Sequence, residues 1–154
     1  MLGMKRMSLT ANESKITFVG EVVKIDGEIA TLQVYKQYCD GLRDIDSYSH
    51  LIVLYWAHLH DNEDERRTIQ VIPKRHGRKV KTGVFACRSP TRPNPVCLCV
   101  VELLEVTGCS LKLRGLDAEL HSPIVDIKPY HPHSDSVPDA TSPEWAVNKH
   151  TVER

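Results

Sequence analysis

No stretch of this chain is apolar for anything near the roughly 20 residues that a membrane-spanning helix needs. Nor does a short apolar segment follow a basic start, as in a secretion signal. A cytoplasmic location is therefore the expectation, with no membrane partner. Aromatic residues make up only 6% of the 154. Of these, Tyr55 and Trp56 lie in an apolar run and read as core rather than as a platform for stacked bases. No internal repeat is present, and no Gly-x-Gly-x-x-Gly follows a strand-like run. No long stretch has the 3.6-residue apolar period of a helix, so an alternating parallel α/β sheet of the dinucleotide-binding kind is excluded. The cysteines, Cys39, Cys87, Cys97, Cys99 and Cys109, number five. An odd count at irregular spacing argues against a disulfide framework and fits free thiols in a reducing compartment. Acidic residues are missing altogether from Arg66 to Val101.

What remains is a chain of ordinary globular composition, 41% hydrophobic and 26% charged, long enough to bury one core. Its 20 basic and 20 acidic residues cancel, but the acid-free middle holds Arg66, Arg67, Lys74, Arg75, Arg78, Lys79, Lys81, Arg88 and Arg92. Such a stretch favours an anionic ligand, though Lys74–Lys81 read alone is equally a solvated basic loop.

Strand-like runs fall at Ile16–Lys24, Glu28–Lys36, Ser49–Ala57, Thr68–Pro73, Gly83–Cys87, Val96–Val106, Ser110–Leu116 and Pro123–Ile127. The first two are split by Asp26–Gly27, a hairpin signal whose turn positions call for positive φ. Thr107–Gly108–Cys109 divides a later pair. Ser49–Ala57 is almost wholly apolar, as in a strand buried on both faces. Many short strands joined by turns predict an all-β, mainly antiparallel fold, a small β-barrel with short helical turns. Residues 1–15 read as a flexible tail, 16–132 as the barrel domain and 133–154 as an irregular C-terminal tail, with Trp145 docking it.

Two segments carry candidate chemistry. In Arg88-Ser-Pro-Thr-Arg92-Pro-Asn94-Pro, three prolines forbid a helix or a central strand and stiffen the backbone before any ligand arrives. A stiff loop presenting two guanidiniums and an amide suits a carboxylate or a purine edge; a plain Pro-rich connector is the alternative. Asp117 and Asp126 sit beside apolar residues near strand ends, where a carboxylate binds ribose hydroxyls or backbone amides, or takes a proton. An Asp126–Lys128 pair fixing a corner of the barrel is the competing reading.

Three ordered blocks resemble the TsaA-like (TrmO) family. They are Tyr48-Ser-His-Leu-Ile-Val-Leu-Tyr-Trp, Gly83-Val-Phe-Ala-Cys-Arg-Ser-Pro-Thr-Arg-Pro-Asn-Pro-Val, and Gly115-Leu-Asp-Ala with Pro123-Ile-Val-Asp-Ile-Lys-Pro-Tyr. The likeness spans about Leu32 to Pro132. It implies a β-barrel, usually dimeric, that binds S-adenosylmethionine and methylates the exocyclic nitrogen of threonylcarbamoyladenosine beside the tRNA anticodon. Carried over by position, the cofactor contacts are His58, Leu59, Arg88, Arg92, Asn94, Leu98, Asp117, Ala118, Glu119 and Leu120. Asp126 or His58 is the candidate proton acceptor. Lys74, Arg75, Arg78, Lys79, Lys128 and Tyr130 are the candidate tRNA contacts. No metal is assigned, because Cys97, Cys99 and the histidines match no zinc spacing. Leu116-Asp-Ala-Glu-Leu-His-Ser-Pro lacks the Asp-Gly common in the family, so two other readings stay open. One is methylation of a small molecule; the other is a non-catalytic module that binds S-adenosylmethionine or a metal.

Overall fold

β-Branched and long aliphatic residues alternate with polar ones along most of the chain, and the backbone follows that period of two. In the computed structural model, which describes residues 12–74 and 77–147, the first hairpin pairs β1 (Gly20–Asp26) with β2 (Ile29–Val34). Along β2, Ala30, Leu32 and Val34 point inward while the residues between them face out. The other long strands are β3 (His50–Trp56), β6 (Val96–Thr107), β7 (Ser110–Arg114) and β8 (Pro123–Pro129). Hydrogen bonds join the six in the order β1-β2-β7-β6-β3-β8, every pair antiparallel. β1 returns to β8 through Gly20↔Ile124 and Glu21↔Pro123, so the sheet closes on itself. Val22, Leu32, Leu51, Val53, Leu111 and Leu113 fill the interior, fully removed from water. Two short strands, β4 (Gln70–Val71) and β5 (Thr82–Gly83), form a separate ribbon. The only α-helices among the described residues are α1 (Glu63–Arg67) and α2 (Pro132–Asp135). None of the helices is long and apolar enough to cross a membrane.

The mainly antiparallel all-β fold thus agrees with the sequence reading, while several details do not. The first turn is Gly27–Glu28, one residue later than the Asp-Gly pair suggests, and only Gly27 takes positive φ, at 59°. Gly108 plays the same part in the β6–β7 turn, also at 59°. β1 starts at Gly20, not at Ile16. β3 is not fully buried on both faces: Leu51, Val53 and Tyr55 point into the core, while on the outer face Ile52 and Leu54 are half-buried and Trp56 alone is buried. Gly83–Cys87 does not continue as a strand; Val84–Ala86 forms a 3-10 turn that leaves Phe85 83% exposed. The supposed tail after residue 132 carries α2 and a 3-10 turn at Glu144–Ala146. Most of the proposed N-terminal tail lies outside the described residues.

The free-thiol expectation is also overturned for two cysteines. Cys39 and Cys109 are disulfide-bonded, with Cα atoms 5.2 Å apart; Cys87, Cys97 and Cys99 form no disulfide. Spacing could not show this, because the pair is 70 residues apart in sequence. They meet only because the 3-10 segment Lys36–Leu42 folds back against the β6–β7 turn.

His121, before β8, is held at φ 68° while its amide donates to the Val22 carbonyl at 2.8 Å. A side chain with a Cβ is strained by about 1–2 kcal/mol in that left-handed conformation. Its imidazole lies 3.5 Å from Glu21 on an exposed surface, a contact of little net worth. His121→Gly should therefore stabilise the fold by about 0.5 kcal/mol after the added chain entropy of glycine, as read from urea unfolding midpoints.

Candidate functional site

β3 ends on Trp56, where its partner strand β6 begins, and the chain beyond it turns back over the end of the closed sheet. Ala57 donates its amide to the Pro95 carbonyl at 2.8 Å, and His60 closes a 3-10 turn on Ala57 at 2.9 Å. His58 is therefore placed between the sheet end and the Pro-rich loop. Its Nδ1 is buried with no hydrogen-bond partner among the described residues. Such an atom costs free energy unless a ligand or water completes it. Leu59 beside it is 63% exposed.

The Arg88–Pro95 loop separates its two arginines. Arg92 turns inward, and its Nη1 donates to the carbonyls of Cys87 and Ser89, both at 3.1 Å. It braces the loop from within. Arg88 and Asn94 stay exposed, and among the described residues neither side chain makes a hydrogen bond. These two groups are the ones available to a ligand.

A second loop meets the first at this end. Tyr55 donates its hydroxyl to the Asp117 carbonyl, and the Cys99 thiol contacts the Gly115 carbonyl at 3.1 Å. Burial pushes the Tyr55 hydroxyl well above its usual range, with the neighbouring Cys97 and Asp117 adding to the rise. Burial also raises the Cys97 thiol; Tyr55 and the Arg92 guanidinium pull it partly back, and Asp117 pushes it up again. Cys97 thus feels the charges of both loops. The Asp117 side chain is exposed, Ala118 is half-buried against the core, and Glu119 and Leu120 face solvent.

The remaining candidates lie elsewhere. Leu98, 46% exposed, points to the outer face of β6, opposite to Cys97 and Cys99. Asp126 stands opposite Leu54, in the middle of β3. Lys128 holds its Oδ2 at 3.0 Å, and the Ile127 amide donates to its Oδ1 at 2.9 Å. The Asp126–Lys128 pair read as a competing possibility is therefore present. Tyr130 lies beside His50, at the start of β3. That position is six residues from Trp56, on the order of 20 Å along the strand. One chain thus does not bring Lys128 and Tyr130 next to Arg88. Lys74 and Lys79 are exposed on the loop between β4 and β5. The Arg78 guanidinium is covered by the Trp145 ring at 4.2 Å, so the later segment docks on the basic loop. Arg75 lies outside the described residues. No cluster of metal-ligating side chains occurs among the described residues.

The sequence profile of the tRNA-methyltransferase O N-terminal domain matches residues 20–136. The chain belongs to this family. A probable S-adenosyl-L-methionine-binding protein of Methanothermobacter thermautotrophicus is 44% identical over 114 residues, covering 74% of this chain and 78% of that one. The tRNA (adenine(37)-N6)-methyltransferase of Escherichia coli is 39% identical over 127 residues. That match covers 80% of this chain and 53% of the enzyme, so the chain spans about half of the bacterial protein. The crystal structure of TrmO from Pseudomonas aeruginosa superposes with a TM-score of 0.69 at 22% identity, over 92% of this chain and 64% of that one. At that identity the superposition speaks for the fold alone.

The family profile covers both loops and the strand end between them. Sequence reasoning did not find the residues that hold this end together, namely Asp61, Glu65, Arg66 and Thr91. The sole signal was Asn62 three residues before Glu65, a helix-capping spacing. Asn62 caps α1 by accepting from the Glu65 amide at 3.0 Å.

Proposed function

We propose that this chain is an S-adenosylmethionine-dependent methyltransferase acting on tRNA, at N6 of threonylcarbamoyladenosine 3′ of the anticodon. The observation that carries the reading is the 39% identity, over 127 residues, to the tRNA (adenine(37)-N6)-methyltransferase of Escherichia coli. The archaeal relatives named for binding S-adenosyl-L-methionine support the choice of donor.

The residues fit the donor. The buried, unpartnered Nδ1 of His58 is an atom that a ribose hydroxyl oxygen would satisfy by accepting from Nδ1–H, which leaves Nε2 as the basic nitrogen. The exposed guanidinium of Arg88 suits the carboxylate in a two-pronged geometry that lysine cannot reproduce. When bound, S-adenosylmethionine supplies an electrophilic methyl group on a sulfonium centre. Methyl transfer to nitrogen is an in-line displacement, so the contribution of the protein is mainly positioning. In this reading Arg88 and Asn94 hold one end of the donor. Asp117, Ala118, Glu119 and Leu120 line the other, and Leu59 shields the centre. His58 takes the proton from the acceptor nitrogen. It suits that task better than Asp126, whose two oxygens are held by Lys128 and the Ile127 amide.

The reading extends to a homodimer. Ile52, Leu54, Leu98 and Val100 pair across β3 and β6 on the outer face, where Leu98 and Val100 are each 46% exposed. A second copy on this face would bring its own loops against Leu98, which one chain turns away from its Asp117. It would also shorten the path from Lys128 and Tyr130 to a donor site.

Incubation with labelled donor and total tRNA, followed by nucleoside analysis, tests the function. Label is expected in the N6-methylated form of threonylcarbamoyladenosine. Donor binding without label in tRNA would point to a small-molecule acceptor instead. For the basic loop, replacing Lys74, Arg75, Arg78 and Lys79 together by alanine should weaken tRNA binding sharply. It should also flatten the dependence of log affinity on log salt by about one for each phosphate that the loop no longer neutralises. An unchanged salt slope would remove this loop from the tRNA surface.

A further inference from the structure

The prolines do not by themselves fix where the Arg88–Pro95 loop sits. Pro90, Pro93 and Pro95 have no amide hydrogen to give, so the loop must be tied through carbonyls and side chains. Two hydrogen-bonded arms reach it from the segment that follows β3. In the first, Trp56 Nε1 donates to Asp61 Oδ2 at 3.0 Å, and Arg66 Nη1 holds Asp61 Oδ1 at 3.2 Å. Arg66 Nε then donates to the Pro93 carbonyl at 2.9 Å, with its guanidinium 5.7 Å from the centre of the Trp56 ring. In the second arm, Thr91 Oγ1 donates to Glu65 Oε1 at 2.7 Å, and His60 Nδ1 lies 2.7 Å from the same oxygen. Asn62 Nδ2 donates to Glu65 Oε2 at 2.5 Å. Hydrogen bonds from His60, Thr91 and Asn62 hold the Glu65 carboxyl down to about 2, so it stays charged through neutral and mildly acid pH.

The arms grip Thr91 and Pro93, the positions on either side of Arg92 and between Arg88 and Asn94. Arg92 ties the first half of the loop to itself. The loop therefore behaves as a small rigid piece: the Ala57 amide pins its far end at the Pro95 carbonyl, and the pair of contacts from α1 sets the angle of the part between Arg88 and Asn94. We propose that Glu65 and Arg66 are positioning residues for the donor site: they clamp the loop so that Arg88 and Asn94 face the space beside His58. The proposal rests on the cofactor reading above. It assigns α1 a part in affinity through pre-organisation, since a loop already held in its bound geometry loses less freedom on binding.

The test uses Thr91→Val, Glu65→Gln and the conservative Thr91→Ser, with Arg67→Ala as control. Among the described residues Arg67 pairs only with Glu63 on the same helix, both largely exposed. Two quantities are read: hydrogen exchange of peptides spanning residues 87–96 without ligand, and calorimetric affinity for S-adenosylmethionine. Thr91→Val and Glu65→Gln should speed exchange in those peptides and weaken binding about tenfold, equivalent to the loss of about 1.4 kcal/mol. Thr91→Ser should restore both, and Arg67→Ala should change neither. Unchanged exchange in Thr91→Val and Glu65→Gln overturns the clamp. Faster exchange with unchanged affinity overturns the positioning role and leaves only a structural tie. If the wild type itself fails to bind, the cofactor reading falls and the positioning role with it. The wild-type titration separates that failure from failure of the clamp.

Discussion

Arg88→Ala should weaken the binding of S-adenosylmethionine about 30-fold, the loss expected when one charge-assisted contact to a carboxylate is removed. Its exposed guanidinium makes no hydrogen bond among the described residues, so removing it should leave the urea midpoint almost unchanged. Arg92→Ala should behave differently. Its guanidinium is committed to the Cys87 and Ser89 carbonyls, and truncation leaves those oxygens without a donor. Any loss of affinity there should come with faster hydrogen exchange in the loop. Arg88→Lys keeps the charge but not the planar fork and should recover only part of the affinity. Calorimetric titration of the three variants checks the set. If Arg88→Ala binds as tightly as the wild type, the donor's carboxylate is held elsewhere.

The difference between the two arginines was not legible in Arg88-Ser-Pro-Thr-Arg92, where both look equally available. Their roles depend on which way each side chain leaves a loop whose direction is fixed by contacts to α1, far off in sequence. The strands were easier to read, because a period of two survives in β2 and β7 whatever the rest of the chain does. β3 misled for a physical reason. Its apolar run reflects a core face of Leu51, Val53 and Tyr55 and an outer face on which this chain leaves Ile52 and Leu54 only half-buried. A run with no polar interruptions cannot say which apolar face is covered by its own chain and which is left for a partner. The His58–Arg67 stretch is polar and acidic in sequence, and that charge density masks a capped one-turn helix. Among the described residues its carboxylates find their partners in Trp56, His60, Asn62, Thr91 and the arginines of the same helix.

The bond between Cys39 and Cys109 should have the largest effect on stability. It closes a loop spanning 70 residues of sequence, and the chain-entropy argument assigns such a closure about 4 kcal/mol. The segment it staples depends on that closure more than most of the fold. No residue of Lys36–Leu42 is buried, and Leu42 only partly packs against the core. With Val19, Asp126 and Ile127, Gln37, Tyr38 and Gly41 wall a cavity of about 360 Å³ beside the β1–β8 seam. There β1 and β8 share just two residue pairs, so the stapled segment covers the weakest join of the closed sheet. Cys39→Ser combined with Cys109→Ser, or reduction of the wild type, should therefore lower the urea midpoint by the equivalent of about 4 kcal/mol. Exchange should quicken first in peptides from residues 36–47. Alkylation before and after reduction gives the independent check. With five cysteines in the chain and two in the bond, three should be labelled without reductant and five with it. Five labelled thiols in the untreated protein, with equal midpoints for both forms, would show that the bridge does not form in solution.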